Sequence, residues 1–150
     1  MKVAILGKLP SKFKAPFDDE EFQIYGCNVH QDMEKIPRYD VWFDIHSNPS
    51  TYTNIDKSKL ILRTQYPLAD AINLVGGCFF NNSISYMIAY AILQGASVIH
   101  LYGVALQNGE EIRTKQLQNV RELLMFARGK GIDIWSIEPN VLSPYPLYGA

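Results

Sequence analysis

Cysteine is scarce in this 150-residue chain: there are two, Cys27 and Cys78, with no CxxC pair and no histidine at zinc-finger spacing. That excludes a disulfide scaffold and a structural zinc site, and reduced thiols are expected. Charge of one sign is lacking as well. Fourteen basic against fifteen acidic side chains make no broad footprint for nucleic acid or an anionic membrane, so a ligand must be held by a local site. No apolar run approaches membrane-spanning length, and residues 3 to 6, directly behind Met1 and Lys2, are too short for the apolar core of a signal peptide. A soluble, cytoplasmic protein is expected. Internal repeats and low-complexity stretches are missing too.

What is present is a 47% hydrophobic composition, enough at this length for one domain, residues 1 to 150, with a sizeable core. The run "VAIL" before Gly7 fits a strand buried on both faces, the natural centre of a parallel sheet. "FQIYGCN" reads as a second strand and "YDVWFDIH" as a third, with Val41, Phe43 and Ile45 alternating against Trp42, Asp44 and His46. Residues 8 to 20 and 47 to 56 read as loops, and "KLILRT" and "AINLVGG" as two more short strands. A helix is expected from the Asn81-Asn82-Ser83 cluster to about Gln94, with Ile84, Met87, Ile88, Ala91 and Ile92 as its stripe and Gly95 as its stop. "SVIHLYG" follows as a strand. A second helix spans roughly 111 to 129 with Leu117, Val120, Leu123, Leu124 and Ala127 on one face, and "GIDIWSI" is the last strand. This order predicts an α/β fold: a single Rossmann-like three-layer domain with a mostly parallel sheet, whose ligand crevice lies outside the carboxyl ends of the strands.

The turn "GKLPS" has one glycine where a P-loop needs GxxxxGK, and it does not open GxGxxG. It can still bind an anion through amides around Gly7 and the Ser11 hydroxyl, with Lys8 or Lys12 adding charge, or it can be a tight turn with solvated lysines. Asn81, Asn82, Ser83 and Ser85 crowd a helix N-terminus, where a phosphate or carboxylate is stabilised. Capping alone explains one of them. His46, with Asp44 on the same strand face, suits acid or base work at neutral pH. Asp18 to Glu21 read as a solvated acidic loop, His100 as a core histidine, and no metal site is called for.

These pieces resemble known families. "LGKLPS", "YGCN", "VWFDIHSNP" and the polar helix start before "AYAILQGASVIHLYGVAL" are arranged as in the bacterial sialyltransferases that use CMP-sialic acid, and as in the related archaeal-type hydroxymethylpterin diphosphokinases. The motifs "GKxPS", "PRxDxWFxIH" and "YGV" are similar to those of small Rossmann-like proteins of tailed bacteriophages, which would place the protein in a host cytoplasm. The sialyltransferase resemblance implies Gly7, Pro10 and Ser11 in the nucleotide-phosphate turn and Asn28 beside the nucleotide. It implies His46 and Asn48 along the same cleft, and Asn82 and Ser83 at the helix start. The expected partner is a nucleotide or nucleotide-linked small molecule, with phosphoryl, nucleotidyl or glycosyl transfer or hydrolysis as the chemistry; no cofactor is named. The alternative is a non-catalytic protein that sequesters a nucleotide signal or acts as an interaction module. In the tail, Ser143 stands at a strand end, and Tyr145 and Tyr148 either fold over the cleft or form an interface of a homo-oligomer.

Overall fold

Alternation of apolar runs and polar turns builds six short strands: β1 (Lys2–Leu6), β2 (Phe22–Cys27), β3 (Val41–Asp44), β4 (Leu60–Leu62), β5 (Val98–Tyr102) and β6 (Asp133–Ser136). In the computed structural model, which describes residues 1–77, 80–105, 111–142 and 149, they form one all-parallel sheet in the order β4-β3-β2-β1-β5-β6. The chain steps outward from β1 to β4, then crosses back to place β5 on the other side of β1. The Rossmann-like reading therefore holds, and the point where the order reverses lies at the carboxyl end of β1.

Three helices, α1 (Leu68–Val75), α2 (Ser83–Leu93) and α3 (Glu111–Gly129), cover one face of the sheet. Their buried side chains meet Val3, Ile5, Tyr25, Phe43, Ile99 and Leu101. The expected stripes of α2 and α3 are all buried, and Ala89 joins them, so α2 is the most deeply embedded helix. The opposite face carries no α-helix among the described residues. It is closed by loops and 3-10 turns that press Ala15, Ile36 and Ile55 onto Ala4, Leu6, Ile24 and Trp42. This third layer is thin because the connections from β1 to β4 are too rich in proline and small polar residues to wind further. On the same face, half-buried His100 lies in an aromatic strip with Phe22, Tyr102 and Trp135, at ring separations of 5.3, 6.4 and 5.2 Å.

One expected element changes type. "AINLVGG" is not a strand: residues 68 to 75 form α1, which ends at Gly76 with a left-handed φ of 76°. Leu68 and Ala69 after Pro67 start a helix, and Ala71, Leu74 and Val75 recur at helical spacing against the core. A window opened at Ala71 sees only the apolar end of that pattern. "KLILRT" does supply a strand, β4. The tail residues Ser143, Tyr145 and Tyr148, the thiol of Cys78 and residues 106 to 110 before α3 lie outside the described residues.

Candidate functional site

Two glycines set the floor of a cavity of about 750 Å³ at the carboxyl rim of the sheet. Gly7 ends β1 and Gly103 ends β5. The Gly7 amide donates to the Tyr102 carbonyl (2.7 Å) and the Leu9 amide to the Gly103 carbonyl (3.0 Å). A Cβ on Gly7 would overlap the Gly103 carbonyl oxygen, with the carbonyl carbon at 2.7 Å. The two turns therefore touch backbone to backbone. This exposes Lys8 at the rim and aims the chain back beneath β5, where Lys12 is sealed off from solvent.

Asn28 forms the second wall. It leaves β2 with a left-handed φ of 63°, which asparagine tolerates better than most residues. Its amide donates to the Phe43 carbonyl (2.9 Å), and its own carbonyl accepts from the Trp42 indole (3.2 Å). The side-chain Nδ2 donates to Ser83 Oγ (3.3 Å), linking the β2 rim to the start of α2, while Oδ1 is buried without a protein partner.

The start of α2 forms the third. Asn82 caps the helix by accepting from the Ser85 amide (3.0 Å), and its Nδ2 donates to the Gln116 carbonyl (3.2 Å) on α3. Asn81 Nδ2 donates to the Lys115 carbonyl (3.3 Å), and its backbone amide to Asn119 Oδ1 (3.2 Å). Asn81 and Asn82 thus clamp the start of α2 to α3, and buried Ser85 fixes the Asn82 side chain. The amides of Ser83 and Ile84, which a helix leaves without intrahelical acceptors, sit at the positive end of the dipole beside the cavity. α3 adds Arg113 and Gln116, joined at 3.1 Å. Their position in the first two turns of a helix gives no sequence signal beyond amphipathicity.

His46 stands at the mouth with 62% of its side chain exposed. Its Nδ1 lies 2.7 Å from Oδ1 of Asp44, which is 1% exposed. That carboxylate also accepts from the His46 amide (3.2 Å), the Ser50 amide (3.2 Å) and the Tyr52 hydroxyl (2.8 Å). Burial alone would raise Asp44, but these donors outweigh it and hold the group below the ordinary carboxylate range. Desolvation, then the Asp44 charge, pushes the nearby Cys27 thiol up to about 12. Cys27 stays protonated and is no nucleophile.

Of the residues singled out from sequence, the cavity is lined by Gly7, Lys8, Asn28, His46, Asn81, Asn82 and Ser83. Others are placed elsewhere. Pro10 opens the 3-10 turn behind Gly7, Ser11 Oγ donates to Glu138 Oε1, and Asn48 is exposed in the loop after β3. Sequence reading passed over His30, Arg113 and Gln116, which also line the cavity. No group of His, Cys, Asp or Glu able to hold a metal occurs among the described residues, and no described helix is long and apolar enough to cross a membrane.

Acid should weaken this fold in two stages. His30 and His100 are held below the ordinary imidazole value of 6.5, chiefly by burial. The unfolded chain binds their protons first, so stability falls as pH drops below that value. Asp32, bonded to Lys12, and Asp44 are held low. Their contribution is complete above the carboxylate range and is lost as pH falls through their folded values. Urea midpoints measured from pH 7.5 to 3 check this; a profile flat down to pH 5 contradicts the first stage.

No family model and no curated protein matches the chain. Solved structures do. A sialyltransferase CST-II in complex with a trisaccharide acceptor and CMP aligns with a TM-score of 0.52 at 16% identity, over 93% of this chain and 82% of that one. CstII from Campylobacter jejuni in complex with the substrate analogue CMP-3FNeuAc gives 0.53 at 16%, over 93% and 81%, and monomeric CstII gives 0.53 at 15%, over 93% and 82%. At such identities the likeness is one of fold: this chain shares the Rossmann-like α/β architecture of the CstII sialyltransferases.

Proposed function

We propose that the cavity binds a nucleotide-linked small molecule by its phosphate and that the reaction is glycosyl transfer from a nucleotide-sugar. One observation carries the reading. Among the described residues, those lining the cavity include the cations Lys8 and Arg113 and no carboxylate, and they surround the start of α2. An anion is the ligand such a site stabilises. The switch point of an open parallel sheet is where nucleotides bind, and the fold neighbours were solved with CMP and CMP-3FNeuAc.

In this reading the Gly7–Lys8 turn and the Ser83 end of α2 hold the phosphate, and Lys8 and Arg113 neutralise it. Asn28 Oδ1, buried and unpartnered, accepts from a hydroxyl or amino group of the nucleoside. His46, oriented by Asp44, exchanges the proton. Gln116 holds the Arg113 guanidinium.

Calorimetric titration with CMP and CMP-sialic acid tests it. Lys8→Ala and Arg113→Ala should each weaken CMP about 10-fold or more, the loss of one charge-assisted bond of about 1.5–3 kcal/mol, with thermal stability unchanged. Failure of CMP, UMP, AMP, GMP and their sugar conjugates to bind or to shift the melting temperature would overturn the reading.

A further inference from the structure

A second imidazole faces the same cavity. His30 follows β2 as His46 follows β3: Cys27 and Phe43 are paired in the parallel ladder, and each histidine stands three residues beyond its member of that pair. Both line the cavity. The Nδ1 of His30 lies 2.7 Å from Asp32 Oδ1, matching the 2.7 Å between His46 Nδ1 and Asp44 Oδ1. Each carboxylate is fixed in turn. Asp32 accepts from Lys12 Nζ (2.7 Å), whose ammonium also donates to the Lys8 carbonyl (3.0 Å) in the cavity floor; Asp44 is held by Tyr52, Ser50 and the His46 amide. A carboxylate on Nδ1 selects the tautomer with hydrogen there and leaves Nε2 as the nitrogen free to exchange a proton.

The surroundings of the two rings differ. The His30 side chain is 9% exposed, its ring 6.0 Å from that of Trp42, with the ammonium groups of Lys12 and Lys8 opposing a positive charge and Asp32 only partly compensating. It is kept neutral, with a lone pair on Nε2. His46 faces Asp44 and water at the mouth, where a proton is readily replaced.

Resting on the nucleotide-sugar reading above, we propose that the site works with two imidazoles: His30 Nε2 takes the proton of the attacking hydroxyl and His46 Nε2–H gives one to the departing phosphate oxygen. The acceptor oxygen bonds to the anomeric carbon while its proton passes to His30. The bond from that carbon to the phosphate oxygen breaks, and its electron pair stays on oxygen, which takes the proton from His46. Exchange with water returns both rings to their starting states.

The test compares wild type, His30→Asn and His46→Asn by calorimetry with CMP and by turnover of CMP-sialic acid, onto a trisaccharide acceptor or water, from pH 5 to 9. Asparagine at position 30 keeps a short donor toward Asp32 and removes Nε2. Melting temperature confirms that each variant is folded, and His30→Gln serves as a second variant lacking the imidazole should His30→Asn not fold. Expected for His30→Asn is a kcat lower by about 10²–10⁴-fold, CMP affinity within threefold, and loss of the acidic limb of the pH profile; His46→Asn should lower kcat with CMP affinity likewise within threefold. A His30→Asn protein with kcat within threefold of wild type and the acidic limb intact overturns the proposal. A wild type that binds CMP but turns nothing over also overturns it and leaves the nucleotide site standing. Loss of both binding and turnover overturns both readings.

Discussion

Gly7→Ala should be among the most damaging single-methyl changes in the molecule, lowering stability by about 3–5 kcal/mol. The added Cβ overlaps the Gly103 carbonyl oxygen and comes within 2.7 Å of the carbonyl carbon and 2.8 Å of Val104 Cγ2. Nothing there yields cheaply. Gly103 is backbone held by Leu9, and Val104 is 2% exposed. Relief requires lifting the β1 turn off β5, which breaks the bond from the Gly7 amide to Tyr102 and opens the cavity floor. Against a total stability of about 5–15 kcal/mol for a domain, that is a large fraction, and the melting temperature should fall by roughly 10 °C. Gly76→Ala is the contrasting case. Its φ is 76°, but a Cβ there meets nothing within 4 Å, so only backbone strain is added, about 1–2 kcal/mol. Urea unfolding of both variants measures the difference, and equal losses would show that the Gly7–Gly103 contact relaxes.

How far the sequence reached follows from the range of the forces involved. Residues 3 to 6, 22 to 27 and 98 to 102 are strands because apolar runs end at glycine or asparagine, a signal contained within each segment. The α2 and α3 stripes are local in the same way. The error at α1 is also local: the helix starts at Leu68, just after a proline, and a strand reading begun at Ala71 misses that start. The site needed more than local pattern. Ser11 looks like a phosphate ligand in "GKLPS", yet its hydroxyl meets Glu138, 127 residues away. Asn81 and Asn82 look like surplus polar groups at a helix start, and only the packing of α3 shows them spent on a clamp. His30 has no helical or strand period to mark it. Its significance comes from Lys12, which reads as a solvated loop lysine and is 0% exposed.

That buried lysine leads to an asymmetry between two substitutions at one ion pair. Lys12 is fully buried, whereas Asp32 keeps 28% of its side chain in solvent. Removing the carboxylate strands an ammonium in a space sealed by the Gly103 turn, with the Lys8 carbonyl and the face of the Phe13 ring as its remaining partners. Removing the ammonium instead leaves Asp32 able to rehydrate and still bonded to His30. Uncompensated burial of one charge costs about 3–5 kcal/mol, while replacing a buried charge by an apolar side chain of similar volume is often neutral. Asp32→Ala should therefore destabilise by about 3 kcal/mol and Lys12→Met by about 1 kcal/mol, chiefly the lost bond to the Lys8 carbonyl. With both changes together, no stranded charge remains, so the double variant should be more stable than Asp32→Ala alone. Urea unfolding at pH 7 of the two singles and the double closes the cycle. A loss for Lys12→Met equal to or larger than that for Asp32→Ala would mean that Asp32 carries the desolvation burden instead.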